Sequence, residues 1–128
     1  MNNGAVLVVE DEHLILLDVE SALEEAGFEV VGAQNAAQAM AFFDAEPVKF
    51  KGLVTDIRLG AGKSGWEVAR HLRRANPTIP VIYMSGDSAI HWGAEGVPES
   101  VMITKPFFLP QIIAALSTLL NQQHSDNS

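Results

Sequence analysis

The sequence predicts an α/β domain of the (βα)5 kind: a doubly wound, five-stranded parallel sheet with helices on both faces. Three observations point there. Short apolar runs rich in Val and Ile alternate with longer stretches whose apolar residues recur at helical spacing. The runs are continuous, as expected of strands buried on both faces. Four of them end in a polar group: Glu10 and Asp11 after Val6–Val9, Asp56 after Leu53–Thr55, Ser85 after Val81–Met84, and Lys105 after Val101–Thr104.

Ala5–Val9 is the first strand. Between His13 and Ala26, residues Ile15, Leu16, Val19, Leu23 and Ala26 form one helical stripe, with Asp18, Glu20, Glu24 and Glu25 mostly off it. Gly27 stands where a helix end takes a left-handed residue. Phe28–Gly32 is the second strand. Asn35 caps a helix running to about Ala45, which Pro47 stops. Phe50–Thr55 is the third strand. A glycine-rich loop, Gly60–Gly65, leads to a helix from Trp66 to about Ala75, ended by Asn76-Pro77. Pro80–Met84 is the fourth strand. Gly86–Ser100 holds three glycines and Pro98, so any helix there is short or irregular. Val101–Thr104 is the fifth strand. Pro110 opens a last helix whose apolar face is Ile112, Ile113, Leu116, Leu119 and Leu120. Residues 1–121 are expected to form one domain and 122–128 a polar tail, frayed from His124.

A chain of 128 residues, 48% of them hydrophobic, fits one domain with a real core. Eight basic against sixteen acidic side chains give a net charge of −8. That balance argues against direct nucleic-acid binding, which needs basic neutralisation, and against anionic membrane surfaces. The absence of cysteine removes disulfides, thiolate metal sites and thiol catalysis. With no apolar stretch of membrane-spanning length and no signal-peptide pattern, the expected location is the cytoplasm.

In open parallel sheets, ligands bind beyond the carboxyl ends of the strands. The strand ends would bring three carboxylates, a hydroxyl and an ammonium together there. Such a set suits a divalent cation and the movement of a phosphoryl group.

The segments VLVVEDE, VTDIRL, YMSG and TKPF, in this order and spacing, resemble those of receiver domains of two-component response regulators. The resemblance spans about Val6 to Leu120. It implies a flavodoxin-like strand order, 2-1-3-4-5, and a stand-alone receiver or one cut from a longer hybrid kinase. It also implies that Asp56 accepts a phosphoryl group from a histidine kinase or histidine phosphotransfer protein, with output through contact with a downstream protein. Glu10 and Asp11, with Asp56 and the backbone carbonyl of Arg58, would hold Mg²⁺, or Mn²⁺ in its place. Lys105 would pair with Asp56 and then with the phosphoryl group, aimed inward by a cis bond to Pro106. Ser85 would bond a phosphoryl oxygen after transfer and act as a switch. Arg58 and Asp87 would tune the lifetime of the phosphoryl group.

Taken singly, these residues have ordinary readings. Asp56 could cap a loop, Ser85 a turn, and Lys105 could close a strand at the surface. Glu10 and Asp11 could form a solvated acidic turn with Asp11 or Glu12 capping a helix. Trp66, His91, Trp92 and the Phe107–Phe108 pair could line a partner surface, although packing is the expected fate of most of them.

Two features depart from the resembled pattern. The switch partner of Ser85 is usually Tyr or Phe, three positions before the lysine; here it is Met102. The loop after Asp56 has Gly60 where proline is common, then an extra residue before Gly65. Two alternatives therefore stand beside the phosphoacceptor reading. One is a docking module that works without phosphorylation, favoured by Met102. The other is a Mg²⁺-dependent phosphohydrolase with an aspartyl-phosphate intermediate. It is disfavoured because Arg58, rather than a second acid, stands two residues after Asp56. On the main reading the chain is no enzyme beyond catalysing its own phosphoryl acceptance and loss. Its oligomeric state is left open.

Overall fold

The apolar runs form strands β1 (Ala5–Val9), β2 (Glu29–Ala33), β3 (Phe50–Asp56), β4 (Val81–Ser85) and β5 (Val101–Thr104). Helices α1 (His13–Glu25), α2 (Ala36–Ala45), α3 (Gly65–Ala75), α4 (Trp92–Glu95) and α5 (Leu109–Asp126) alternate with them, and a 3₁₀ turn at Pro47–Lys49 precedes β3. The computed structural model describes residues 4–86, 91–106 and 109–126. The strands make one five-stranded sheet in the order β2-β1-β3-β4-β5, and every pairing is parallel. This is the expected fold. Order reverses between β1 and β3, so the ends of these two strands flank the crevice where such sheets bind ligands.

Successive strand residues point to opposite faces, which divides the core in two. Leu7, Val9, Leu53 and Tyr83 join Phe43 of α2 and Val68 and Leu72 of α3 on one face. Val6, Val8, Val54, Ile82 and Met84 join Leu16, Val19 and Leu23 of α1 and Ile112 and Leu116 of α5 on the other. With both faces covered, the strand ends are the sheet's route to solvent.

Local chemistry moved some boundaries. Phe28 belongs to the end of α1 rather than to β2. Its N–H donates to the Leu23 carbonyl (3.0 Å) and that of Gly27 to Glu24 (3.0 Å), with Gly27 at φ +97°. That is a Schellman closure, and Phe28 packs against the α1–α5 core. At the next helix Asn35 caps as expected, its side chain accepting from the Gln38 N–H at 2.7 Å. Between Gly86 and Ser100 the described helix is the single turn α4. Helix α5 runs on through Asp126, so the backbone of residues 122–126, expected in the tail, is helical.

Helix α3 starts with a reciprocal cap. Ser64 Oγ accepts from the Glu67 N–H (3.4 Å), and Glu67 Oε1 accepts from the Ser64 N–H (2.8 Å). Ser64→Ala removes both the acceptor and the box. It should cost about 1 kcal/mol and lower the midpoint of thermal unfolding by about 3–6 °C, read by circular dichroism.

Candidate functional site

The ends of β1, β3, β4 and β5 converge on one cleft. The Glu10 N–H donates to the Ala33 carbonyl (3.0 Å), continuing the β1–β2 ladder one residue beyond Val9. This turns the Glu10 side chain inward, where it is fully buried. Asp56 is the last residue of β3 and is 6% exposed. Ser85 ends β4 and is also buried. Lys105 follows β5, its N–H donating to the Ser85 carbonyl (2.7 Å), and its bond to Pro106 is cis.

The lysine joins the two buried acids. Its Nζ donates to Glu10 Oε1 at 3.1 Å and to Asp56 Oδ2 at 3.2 Å. The remaining carboxylate oxygens take backbone donors: Glu10 Oε2 from the Glu12 N–H (3.0 Å) and Asp56 Oδ1 from the Ile57 N–H (2.8 Å). Thr55 Oγ1 donates to the Asp56 carbonyl (2.8 Å) and steadies the strand end. Asp11 is exposed at the rim. Asp11, Glu12, Asp56, Arg58, Ser85, Gly86 and Lys105 line an open cleft of about 530 Å³.

Two buried carboxyl groups and one ammonium are held close together here. Burial above all pushes the Glu10 carboxyl up to about 7; the Glu12 N–H and Lys105 pull it down, and the Asp56 charge adds to the rise. Burial alone would lower the Lys105 ammonium. Asp56 and Glu10 more than offset this, so it lies above the usual lysine range.

The Glu10 shift has a consequence for the metal-free protein. Unfolded, Glu10 titrates near 4.5; folded, near 7. Between these values the native state binds the proton more tightly, so its stability falls as pH rises through that window. The expected loss is of the order of 2–3 kcal/mol. Glu10→Gln should remove that slope, as urea unfolding on either side of the window would show.

The donor set suits a hard divalent cation. Glu10, Asp11 and Asp56 each offer a carboxylate oxygen, and the three atoms lie within 4.8 Å of one another. Magnesium takes oxygen ligands and retains waters, which the open side of the cleft would supply. Of the other expected residues, Arg58 lines the cleft with an exposed side chain. Met102 is half-buried in β5, against the α2–α3 core and away from the cleft lining. Asp87, like Phe107 and Phe108, lies outside the described residues. Trp66 is buried against Tyr83, with ring centroids 4.7 Å apart. Trp92 is 38% exposed, and His91 is exposed.

Gly65 is part of the site's construction, and the sequence reading had treated it only as the end of a loop. Its N–H donates to the Ile57 carbonyl (2.8 Å), and a Cβ there would overlap the Asp56 carbonyl oxygen.

Among the described residues, no helix is long and apolar enough to cross a membrane. A receiver protein from Sinorhizobium medicae superposes with a TM-score of 0.90 at 40% identity, over 94% of this chain and 96% of that one. An uncharacterized transcriptional regulatory protein of Bacillus subtilis, YkoG, is 31% identical over 125 residues, 95% of this chain and 53% of its own length. The response regulator receiver protein CpdR of Brucella abortus is 26% identical over 117 residues, 90% of this chain and 95% of its own. The chain thus spans about half the length of several curated relatives it matches, and nearly all of CpdR. Residues 6–117 match the response regulator receiver domain. With the parallel order β2-β1-β3-β4-β5 and the cleft at its strand ends, the chain belongs to the receiver domain family of two-component response regulators.

Proposed function

We propose that this receiver is a phosphoacceptor switch whose acceptor is Asp56. The observation that carries this reading is the Lys105 ammonium held between Glu10 and Asp56 at the strand ends. An Asp56 carboxylate oxygen attacks the phosphorus of a phosphohistidine on a histidine kinase or phosphotransfer protein. The new P–O bond forms as the P–N bond breaks, and the imidazole leaves with the bonding pair and takes up a proton. The transition state is loose, so positioning and charge neutralisation do most of the work. The Ile57 N–H holds Oδ1, leaving Oδ2 beside the ammonium. Lys105 then exchanges Asp56 for a phosphoryl oxygen. Ser85, on the cleft wall, offers its hydroxyl to another. A Mg²⁺ ion, or Mn²⁺, held by Glu10, Asp11, Asp56 and the Arg58 carbonyl would neutralise the phosphoryl oxygens during transfer.

Incubation with Mg²⁺ and acetyl phosphate, followed by intact mass, tests the proposal. One added phosphoryl group is expected. No gain from this or any phosphorylated kinase would favour the docking module that Met102 keeps in view.

The protein donor has a place to dock. Leu14 and Leu17, 76% and 44% exposed, lie one turn apart on α1, directly after the cleft residues Asp11 and Glu12. An apolar pair at this spacing suits a helix from a partner. The double variant Leu14→Glu, Leu17→Glu should slow transfer from a phosphorylated protein donor by about 10-fold or more. Uptake from acetyl phosphate, which needs no docking, should be unchanged.

A further inference from the structure

The aromatic ring missing at position 102 stands on the neighbouring strand. Tyr83 of β4 is paired in register with Met102 of β5. Its side chain is fully buried, and its hydroxyl oxygen accepts a hydrogen bond from the Val97 N–H at 3.1 Å. Ser85 follows two residues later on the same strand, and strand side chains two apart share a face.

Val97 lies in a segment that is closed on itself. Trp92 Nε1 donates to Ser100 Oγ (2.9 Å), which donates to the Val97 carbonyl (2.7 Å). The indole lies over Gly96, where a Cβ would overlap it. The far end is fastened by Arg73, which donates to the carbonyls of Ile79 (2.8 Å), Pro98 (2.6 Å) and Glu99 (3.4 Å). Glu99 itself takes a left-handed φ of +57°. The near end is held to α3 by Arg70, which donates to the Glu95 carbonyl (3.0 Å) and pairs with its exposed carboxylate at 3.4 Å. Both ends of the segment are thus fastened to α3 by arginines. The Tyr83–Val97 bond is the buried tie between them.

We propose that Tyr83, in place of a ring at position 102, is the output latch of this receiver. Its hydroxyl holds residues 92–97 in the resting position through the Val97 N–H, and movement of Ser85 toward a phosphoryl group releases that bond through β4. The release step rests on the acceptor reading above; the resting latch does not.

Amide hydrogen exchange at Val97 and across residues 92–97 tests it, with phosphoryl occupancy read by intact mass in the same samples. Tyr83→Phe keeps the ring and removes only the hydroxyl. Before phosphorylation, the Val97 amide should exchange about 10-fold faster in Tyr83→Phe than in the wild type. Acetyl phosphate with Mg²⁺ should speed Val97 exchange in the wild type by a similar factor and add little in Tyr83→Phe, although both take up phosphoryl equally. Met102→Ala should respond as the wild type does. Unchanged Val97 protection in Tyr83→Phe would overturn the latch. So would a response lost in Met102→Ala and kept in Tyr83→Phe. If the wild type took up no phosphoryl group, the acceptor reading and the release step would fall together. The comparison before phosphorylation would still decide whether the latch exists.

Discussion

Asp56→Asn should take up no phosphoryl group from acetyl phosphate or from a phosphorylated protein donor. The change is nearly isosteric. The amide oxygen can still accept from the Ile57 N–H, which bonds Oδ1 at 2.8 Å, and the β3–β4 ladder through the Asp56–Met84 pair needs only backbone. What is lost is the charged oxygen beside Lys105, the proposed nucleophile. The neighbouring acid should respond as well. The Asp56 charge helps hold the Glu10 carboxyl near 7, so its removal moves Glu10 back toward the ordinary range. The metal-free variant should thus fold at least as stably as the wild type, as thermal unfolding above neutral pH would show. A variant that is folded and inert isolates the chemistry. One that still gains a phosphoryl group places the acceptor elsewhere.

Gly65→Ala should be the most damaging single methyl group in the loop after β3. The added Cβ meets backbone, overlapping the Asp56 carbonyl oxygen and coming within 3.0 Å of the Ile57 Cα. Neither can rotate away as a side chain could. Helix α3 must lift from the end of β3, or Asp56 must shift within the cleft. The expected cost is about 3 kcal/mol or more, a fall of about 10 °C or more in thermal midpoint. Gly62→Ala is the matched control. Gly62 has φ +97° but nothing within 4 Å of its Cβ position, so only the backbone preference is disturbed. It should cost about 1 kcal/mol. Equal destabilisation by the two would mean that the close approach of α3 to Asp56 is not a constraint.

The strand ends were legible because their signal is local. A buried strand reads as an apolar run, and the first polar residue after it must lie at the sheet edge. Glu10, Asp56, Ser85 and Lys105 were found that way, and the structure brings all four together. The resemblance supplied the strand order, which periodicity alone does not contain. What escaped depends on contacts distant in the chain. Nothing near Gly65 in sequence shows that a strand backbone lies against it. Nothing near Tyr83 shows that its hydroxyl meets the Val97 amide, fourteen residues on. The sequence marked Gly86–Ser100 as irregular. It did not show that Arg70 and Arg73 of α3 tie that segment down. Phe28, expected at the start of β2, goes instead to α1, because the Schellman closure at Gly27 claims its N–H.

The most direct measurement is phosphoryl incorporation from acetyl phosphate across a Mg²⁺ titration, with the modified residue mapped by peptide mass. Incorporation should rise to saturation with Mg²⁺, vanish in excess chelator and fall on Asp56 alone. Equal incorporation in excess chelator, or a phosphoryl group on any other residue, would contradict an acceptor site built from Glu10, Asp11, Asp56 and Lys105.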